Sequence, residues 1–223
     1  MQRLNFGRTL RPGTGLRPET EYFKDQGECL LTGEMINPAS LAFDIDGVVA
    51  DTMNLFLDIV REDHGIHDVQ YEHITRYMLE ECLDIHPDII SDVIAKLLDG
   101  SRDTGLKPIA GARHVLTRLG KEHAPVRFVT ARPNIGPISE WMQNLLPLDP
   151  SRIDIVATGS FEAKTEVLRE KGVTHFVEDR LETCFLLKEE GITPLVFRQP
   201  WNREPHPFTE VGTWQEIENL IAF

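Results

Sequence analysis

A chain of 223 residues, 41% of them hydrophobic and 26% charged, can bury a sizeable core and fits one domain with an insertion better than two independent domains. No apolar run approaches the roughly 20 residues that span a bilayer, and the N-terminus lacks the apolar stretch of a secretory signal. The formal net charge of −13 argues against a binder of nucleic-acid polymers, since no overall positive field gathers polyphosphate, but it leaves room for a small anionic substrate at a locally positive site.

Residues 1–38 read as an arm outside the core. Leu10-Arg11-Pro12-Gly13-Thr14 is echoed by Leu16-Arg17-Pro18-Glu19-Thr20, two proline-containing turns, and residues 28–36 have the composition of a short strand or hairpin. Arg3, Arg8, Arg11 and Arg17 precede the first acidic residue. The expectation is an arm packed on the body or on a neighbouring subunit of a homodimer; an Arg-rich targeting peptide and an anion-binding arm are the other readings. Cys29, Cys82 and Cys184 are far apart and form no Cys-x-x-Cys pair, as expected of reduced thiols in a cytoplasmic protein.

From residue 39 the pattern becomes strand–helix alternation. Ala39–Asp44 reads as the first strand. Met53, Leu55, Phe56, Ile59 and Val60 have helical spacing, and further helices are predicted over about 71–84 and 88–99. Residues 52–107 therefore read as an all-helical insertion. After Pro108 the spacing predicts a helix over 111–120, a strand at 126–130, a helix near 136–146, a strand at 153–156 and a helix near 162–171. A strand at 175–177, a helix at 181–190, a last strand Thr193–Phe197 and a terminal helix over 213–222 complete the series. Repeated βα units of this kind make a doubly wound parallel sheet, so the fold class is α/β, with a core of 39–51 and 108–223 interrupted by the insertion.

The chemistry collects at the carboxyl ends of the predicted strands. The first apolar run stops at Asp44 and Asp46, followed by Gly47. Residues i and i+2 of a strand share a side, so two negative charges meet at the rim where open α/β sheets bind ligands; a cation or a shared proton must relieve them. The second strand ends at Thr130, before Ala131-Arg132-Pro133; Lys164 lies near the start of a helix; the fourth strand ends in Glu178-Asp179-Arg180. These types suit phosphoryl transfer, which needs positioning and charge neutralisation above all. Carboxylates of Asp44 and Asp179, with the Asp46 backbone carbonyl, form a partial oxygen shell for Mg²⁺, with Glu178 behind it. Lys164 and the Thr130 hydroxyl are the phosphate contacts. Asp44 is the expected nucleophile, and Asp46 the acid that protonates the leaving oxygen and then the base that activates water. Arg132 has two readings, a second phosphate contact or an ion pair with a sheet-edge acid.

This ordered set resembles the haloacid dehalogenase-like hydrolase superfamily: Asp44-Ile45-Asp46-Gly47-Val48-Val49 matches its first motif, Thr130 the second, Lys164 the third and Glu178-Asp179 the fourth. The resemblance implies a Rossmann-like core, Mg²⁺ dependence, phosphatase or phosphomutase chemistry, and a cap role for residues 52–107, closing over a small phosphorylated metabolite. An acid at Asp46 implies phosphate-ester hydrolysis rather than dehalogenation. Phe128-Val129-Thr130-Ala131-Arg132-Pro133, Val177-Glu178-Asp179-Arg180 and Gln199-Pro200-Trp201-Asn202-Arg203 further resemble the 5′-nucleotidase (deoxyribonucleotidase) branch, which acts on nucleoside monophosphates. Glu178 stands where that branch commonly shows a second aspartate. From its residues alone, Gln199–Arg203 reads as a surface loop closing the last βα unit. The competing functions are a phosphosugar phosphatase or mutase and a protein that binds a phosphorylated ligand without turnover.

Overall fold

The sequence signal for a first strand begins two residues too early. In the computed structural model, which describes residues 35–102 and 105–223, the Asn37 side chain accepts a 2.9 Å hydrogen bond from the Ala39 N–H. That turn opens a 3-10 segment at Pro38–Ser40, so β1 is Leu41–Phe43. The readings of residues 1–34 as an arm and of 28–34 as a strand lie outside the described residues. Just beyond them, Ile36 is buried and exchanges backbone hydrogen bonds with Leu220 and Ala222 (2.8 and 3.0 Å), which ties the start of the core to its end.

The remaining elements follow the predicted alternation with boundaries moved by one or two residues. They are α1 (Thr52–His64), α2 (Pro87–Asp99), α3 (Ala112–Glu122), β2 (Val126–Thr130), α4 (Ile135–Leu145), β3 (Ile153–Ala157), α5 (Ala163–Glu170), β4 (His175–Glu178), α6 (Leu181–Glu189), β5 (Thr193–Phe197), β6 (Thr209–Val211) and α7 (Trp214–Leu220). The sheet is parallel throughout, in the order β3-β2-β1-β4-β5-β6. β1 is thus central and the chain reverses direction of travel between β1 and β4, the switch point at which such sheets open a crevice.

Both faces of the sheet are covered, which is why its central strands read as unbroken apolar runs. Alternate residues face opposite sides. Ala42, Val129 and Phe176 pack with Leu168 of α5 and Leu187 of α6. Phe43, Phe128 and Val177 join the larger core with Leu116 of α3, Met142 of α4 and Trp214 of α7. No described helix is long and apolar enough to cross a membrane. Cys82 and Cys184 carry free thiols.

Residues 52–107 leave and rejoin the core at one place, where the Asp51 N–H donates to Lys107 (2.8 Å) and the Ile109 N–H to Val49 (2.8 Å). Two parts of the predicted pattern are corrected. The helix expected over 71–84 is instead two 3-10 turns, Tyr71–His73 and Leu79–Glu81. Their side chains are drawn to partners in the core: Tyr71 to Gln199, Arg76 to Glu204 and Tyr77 to Phe161. A regular helix cannot aim all three that way, so tertiary contact overrides periodicity. The sheet also has a sixth strand, β6, beyond the last one predicted; at three residues on an edge it is too short to show alternation.

Candidate active site

Asp44 is the first residue after β1. Its N–H donates to Val177 of β4 (2.9 Å), so pairing with the neighbouring strand carries it to the sheet rim. The chain then turns sharply: the Gly47 N–H donates to Ala50 (3.0 Å), and Gly47 has φ 72°, a left-handed conformation that suits glycine. A Cβ at position 47 would lie 2.2 Å from Asp179 Oδ2, so glycine is also required for the approach of that carboxylate. Thr130 ends β2, Glu178 ends β4, and Asp179 follows it. Lys164 sits in the first turn of α5, beyond β3. Three adjacent strands and one helix start thus converge, as the motif order predicts.

Three of the acids are divided between two cations. Lys164 is fully buried; its Nζ lies 3.0 Å from Asp44 Oδ1 and 2.8 Å from Glu178 Oε2. Burial opposes its charge, but Asp44 and Glu178 outweigh that and hold the ammonium protonated. Asp46 is gripped on both oxygens by Arg132, from Nε to Oδ2 (2.9 Å) and from Nη2 to Oδ1 (2.8 Å), and Oδ1 also accepts from the Thr52 hydroxyl (2.7 Å). Desolvation works against the Asp46 carboxylate, yet Arg132, with Thr52, holds its pKa below the ordinary value. The charge pair Asp44–Asp46 is therefore relieved by a separate cation for each. Of the two readings of Arg132, the structure contains the ion pair with a sheet-edge acid. Its third arm, Nη1, donates to the Leu97 carbonyl of α2 (3.1 Å). The Thr130 hydroxyl accepts from the Arg132 N–H (3.3 Å).

Asp44, Glu178 and Asp179 each present a carboxylate oxygen within 4.8 Å of the others, all buried. Burial pushes Asp44 up to about 7, with Glu178 and Asp46 adding to the rise and Lys164 opposing it. Asp179 is raised well above the ordinary carboxylate range, chiefly by burial and then by Glu178 and Asp44. One lysine against three buried carboxylates leaves surplus negative charge, and an all-oxygen donor set fits a hard divalent cation. Glu178 is already engaged, by Lys164 and by the N–H groups of Asp179 and Arg180 (3.1 Å each). Asp44 and Asp179 have the freer oxygens.

These groups open into a cavity of about 460 Å³, floored by Asp44, Asp46, Thr130 and Asp179. The rest of its lining is mostly apolar, with Ile74, Leu79 and Leu97 from the insertion and Phe161 and Trp201 from the core, but it also includes Arg76 and Tyr77. Arg180 stacks its guanidinium over Phe161 (4.2 Å) and Tyr77 (5.0 Å).

Sequence reasoning missed several residues of the site. Thr52 is one, although a hydroxyl at a helix start six residues after an acid is a readable signal. The Gln199–Arg203 segment is another: Gln199, Trp201 and Asn202 are buried, which corrects its reading as a surface loop. Trp201 donates to Asp179 Oδ2 (2.9 Å) and Asn202 to the Asp179 carbonyl (2.8 Å). A tryptophan in a polar turn was the available clue.

The family model described as 5′ nucleotidase, deoxy (pyrimidine), cytosolic type C protein matches residues 37–223. Staphylococcus aureus proteins provisionally named 5′(3′)-deoxyribonucleotidase are 25% identical over 194 residues, spanning 82% of this chain and 94% of theirs. Among solved structures, a haloacid dehalogenase-like hydrolase from Bacteroides fragilis aligns with a TM-score of 0.54 at 14% identity, over 82% of this chain and 100% of its own. A hydrolase of the same superfamily from Deinococcus radiodurans, solved with bound phosphate and sodium, gives 0.54 at 15% identity, over 82% and 97%. At such identities the structural likeness is one of fold.

Proposed function

We propose, because this chain belongs to the cytosolic type C family of deoxy (pyrimidine) 5′-nucleotidases within the haloacid dehalogenase-like hydrolases, that it is a Mg²⁺-dependent phosphatase of nucleoside 5′-monophosphates acting through an aspartyl phosphate. The observation that carries this reading is Asp44 itself: a carboxylate at the floor of a cavity, 3.0 Å from a buried lysine and clustered with Asp179.

In this reading Asp44 attacks phosphorus, forming a P–O bond to its carboxylate while the ester P–O bond breaks. Asp46, a carboxylate in the free protein, takes up the proton of the monoanionic ester as it binds and passes it to the departing alkoxide. It then accepts a proton from the water that attacks the phosphoenzyme, which releases inorganic phosphate and restores Asp44. The ion pair with Arg132 holds Asp46 as a carboxylate, its form for the second step. The Thr130 hydroxyl and the N–H groups after the strands bind the non-transferring oxygens, and Lys164 orients Asp44 and opposes its protonation. A divalent ion held by Asp44 and Asp179, with the Asp46 carbonyl, would neutralise charge on the transferring group. Residues 52–107 serve as the cap: the side chains they bring to the cavity are mostly apolar (Met53, Ile74, Leu79, Ile94, Leu97 and Leu98, beside Arg76 and Tyr77), which suits a nucleobase better than a polyhydroxylated sugar.

A phosphate-release screen tests the substrate. Nucleoside 5′-monophosphates are expected to exceed sugar phosphates in kcat/KM by about tenfold or more, the scale of one well-filled apolar pocket. Faster sugar phosphates, or phosphate moved between sugar carbons, would overturn the reading. Asp46→Asn is expected to slow alkyl phosphates far more than activated aryl phosphates, whose leaving groups need no proton; equal losses contradict the acid role.

The metal assignment has a pH signature. Asp44 binds its proton more tightly folded than unfolded, about 7 against 3.8, so its contribution to metal-free stability is greatest below pH 3.8 and is lost as pH rises through about 7. Asp179 is displaced in the same direction. A divalent ion must displace these protons, so its affinity weakens by up to about tenfold per pH unit below 7 for each proton released. The thermal midpoint gained on adding Mg²⁺ is expected to be larger near pH 8 than near pH 6. A gain independent of pH contradicts it.

A further inference from the structure

The turn after β5 has no part in the reaction just described, yet every polar side chain it buries is hydrogen-bonded to a residue of the site or to the backbone next to one. Pro200–Asn202 form a 3-10 turn closed by a hydrogen bond from the Gln199 N–H to Asn202 Oδ1 (2.9 Å). Trp201 Nε1 donates to Asp179 Oδ2 (2.9 Å). Asn202 Nδ2 donates to the carbonyls of Asp179 and Phe197 (2.8 Å each). Gln199 bridges two parts of the molecule: its Nε2 donates to the Gly47 carbonyl (2.6 Å), and its Oε1 accepts from the Tyr71 hydroxyl of the insertion (2.8 Å).

The chemistry of these donors is informative. An indole N–H is a neutral donor with no acceptor capacity. It fixes the rotation of a carboxylate without cancelling its charge and cannot itself ligate a metal. With Oδ2 of Asp179 accepting from the indole, the orientation of the carboxylate within the acidic cluster is set. The grip is tight, since position 47 has room for hydrogen only: a Cβ there would meet Asp179 Oδ2 at 2.2 Å and Trp201 Cζ2 at 3.2 Å. Gln199, hydrogen-bonded at both ends, joins the insertion to the backbone directly after Asp46. Tyr71 also packs its ring 5.9 Å from that of Trp201.

We propose that the Gln199–Asn202 turn is a positioning device for the metal site, in which Trp201 sets Asp179 for ligation and Gln199 couples that setting, through Tyr71, to the seating of the helical insertion. This rests on the metal-dependent phosphatase reading and concerns residues that reading does not use. Ligand-orienting partners of this kind typically alter metal affinity by 10–100-fold.

The test is Mn²⁺ binding to the full chain without substrate, followed by the loss of the free-ion paramagnetic signal. Wild type is expected to bind Mn²⁺ at a site that Asp179→Asn removes. Trp201→Phe is expected to weaken binding about tenfold or more. Tyr71→Phe deletes one hydroxyl that touches no ligand, and it is expected to weaken binding about threefold or more with little change in the metal-free melting temperature. That variant decides the matter if Trp201→Phe does not fold. If wild type binds no Mn²⁺, the metal-dependent reading fails. If wild type binds and Asp179→Asn does not, while Trp201→Phe or Tyr71→Phe stays within twofold of wild type, the positioning role fails alone.

Discussion

Asp44→Asn is expected to reduce phosphate release by about 10⁴-fold or more, the scale seen when a covalent nucleophile is removed, and to do so without unfolding the chain. The amide keeps the shape of the carboxylate but cannot attack phosphorus. It also removes a buried charge that Glu178 and Asp46 repel and whose proton affinity is raised to about 7. Metal-free stability should therefore hold or rise, while the stabilisation conferred by Mg²⁺ shrinks. Phosphate assays and melting curves on the same preparation check both. Turnover within tenfold of wild type contradicts the nucleophile assignment, and a collapsed fold contradicts the electrostatic one.

Lys164→Met is expected to do the opposite to stability. Lys164 is the buried cation between Asp44 and Glu178, and Asp179 lies within the same cluster. Methionine fills its volume but leaves buried carboxylates uncompensated, which costs about 3–5 kcal/mol when one partner of a buried pair is lost. Equilibrium denaturation without metal should show that loss near pH 8. It should shrink at lower pH as the carboxylates take up protons, and on adding Mg²⁺, which substitutes for the missing charge. A loss under about 1 kcal/mol contradicts the assignment of Lys164 as the counter-ion of the cluster. The contrast is diagnostic: removing the anion leaves a stable, inactive protein, and removing the cation leaves an unstable one.

The floor of the site was legible in the sequence because its residues sit at strand ends. An apolar run that stops at Asp44, a strand that ends at Thr130 and one that ends at Glu178-Asp179 are joined by topology alone, since all parallel strands present their carboxyl ends on one edge. Partner choice was not legible. Periodicity places Lys164 and Arg132 at the rim but does not say that the first serves Asp44 and the second Asp46, because that depends on side-chain reach across strands. The insertion was legible as helical at α1 and α2, where an apolar stripe faces a core. It was misread at 71–84, where Tyr71, Arg76 and Tyr77 answer to groups more than 80 residues away in sequence (Gln199, Glu204 and Phe161). The same non-local pull buries Gln199, Trp201 and Asn202 in a stretch whose composition is that of a loop.

The central claim, that a phosphoryl group passes through Asp44, is tested most directly by acid-quenching the enzyme during turnover of a nucleoside 5′-monophosphate and mapping the modified peptide. The expected result is a hydroxylamine-labile acyl phosphate on the peptide containing Asp44, absent from Asp44→Asn and absent when a chelator is present. An enzyme that turns over at full rate with no label there, or with label on another residue, would contradict it.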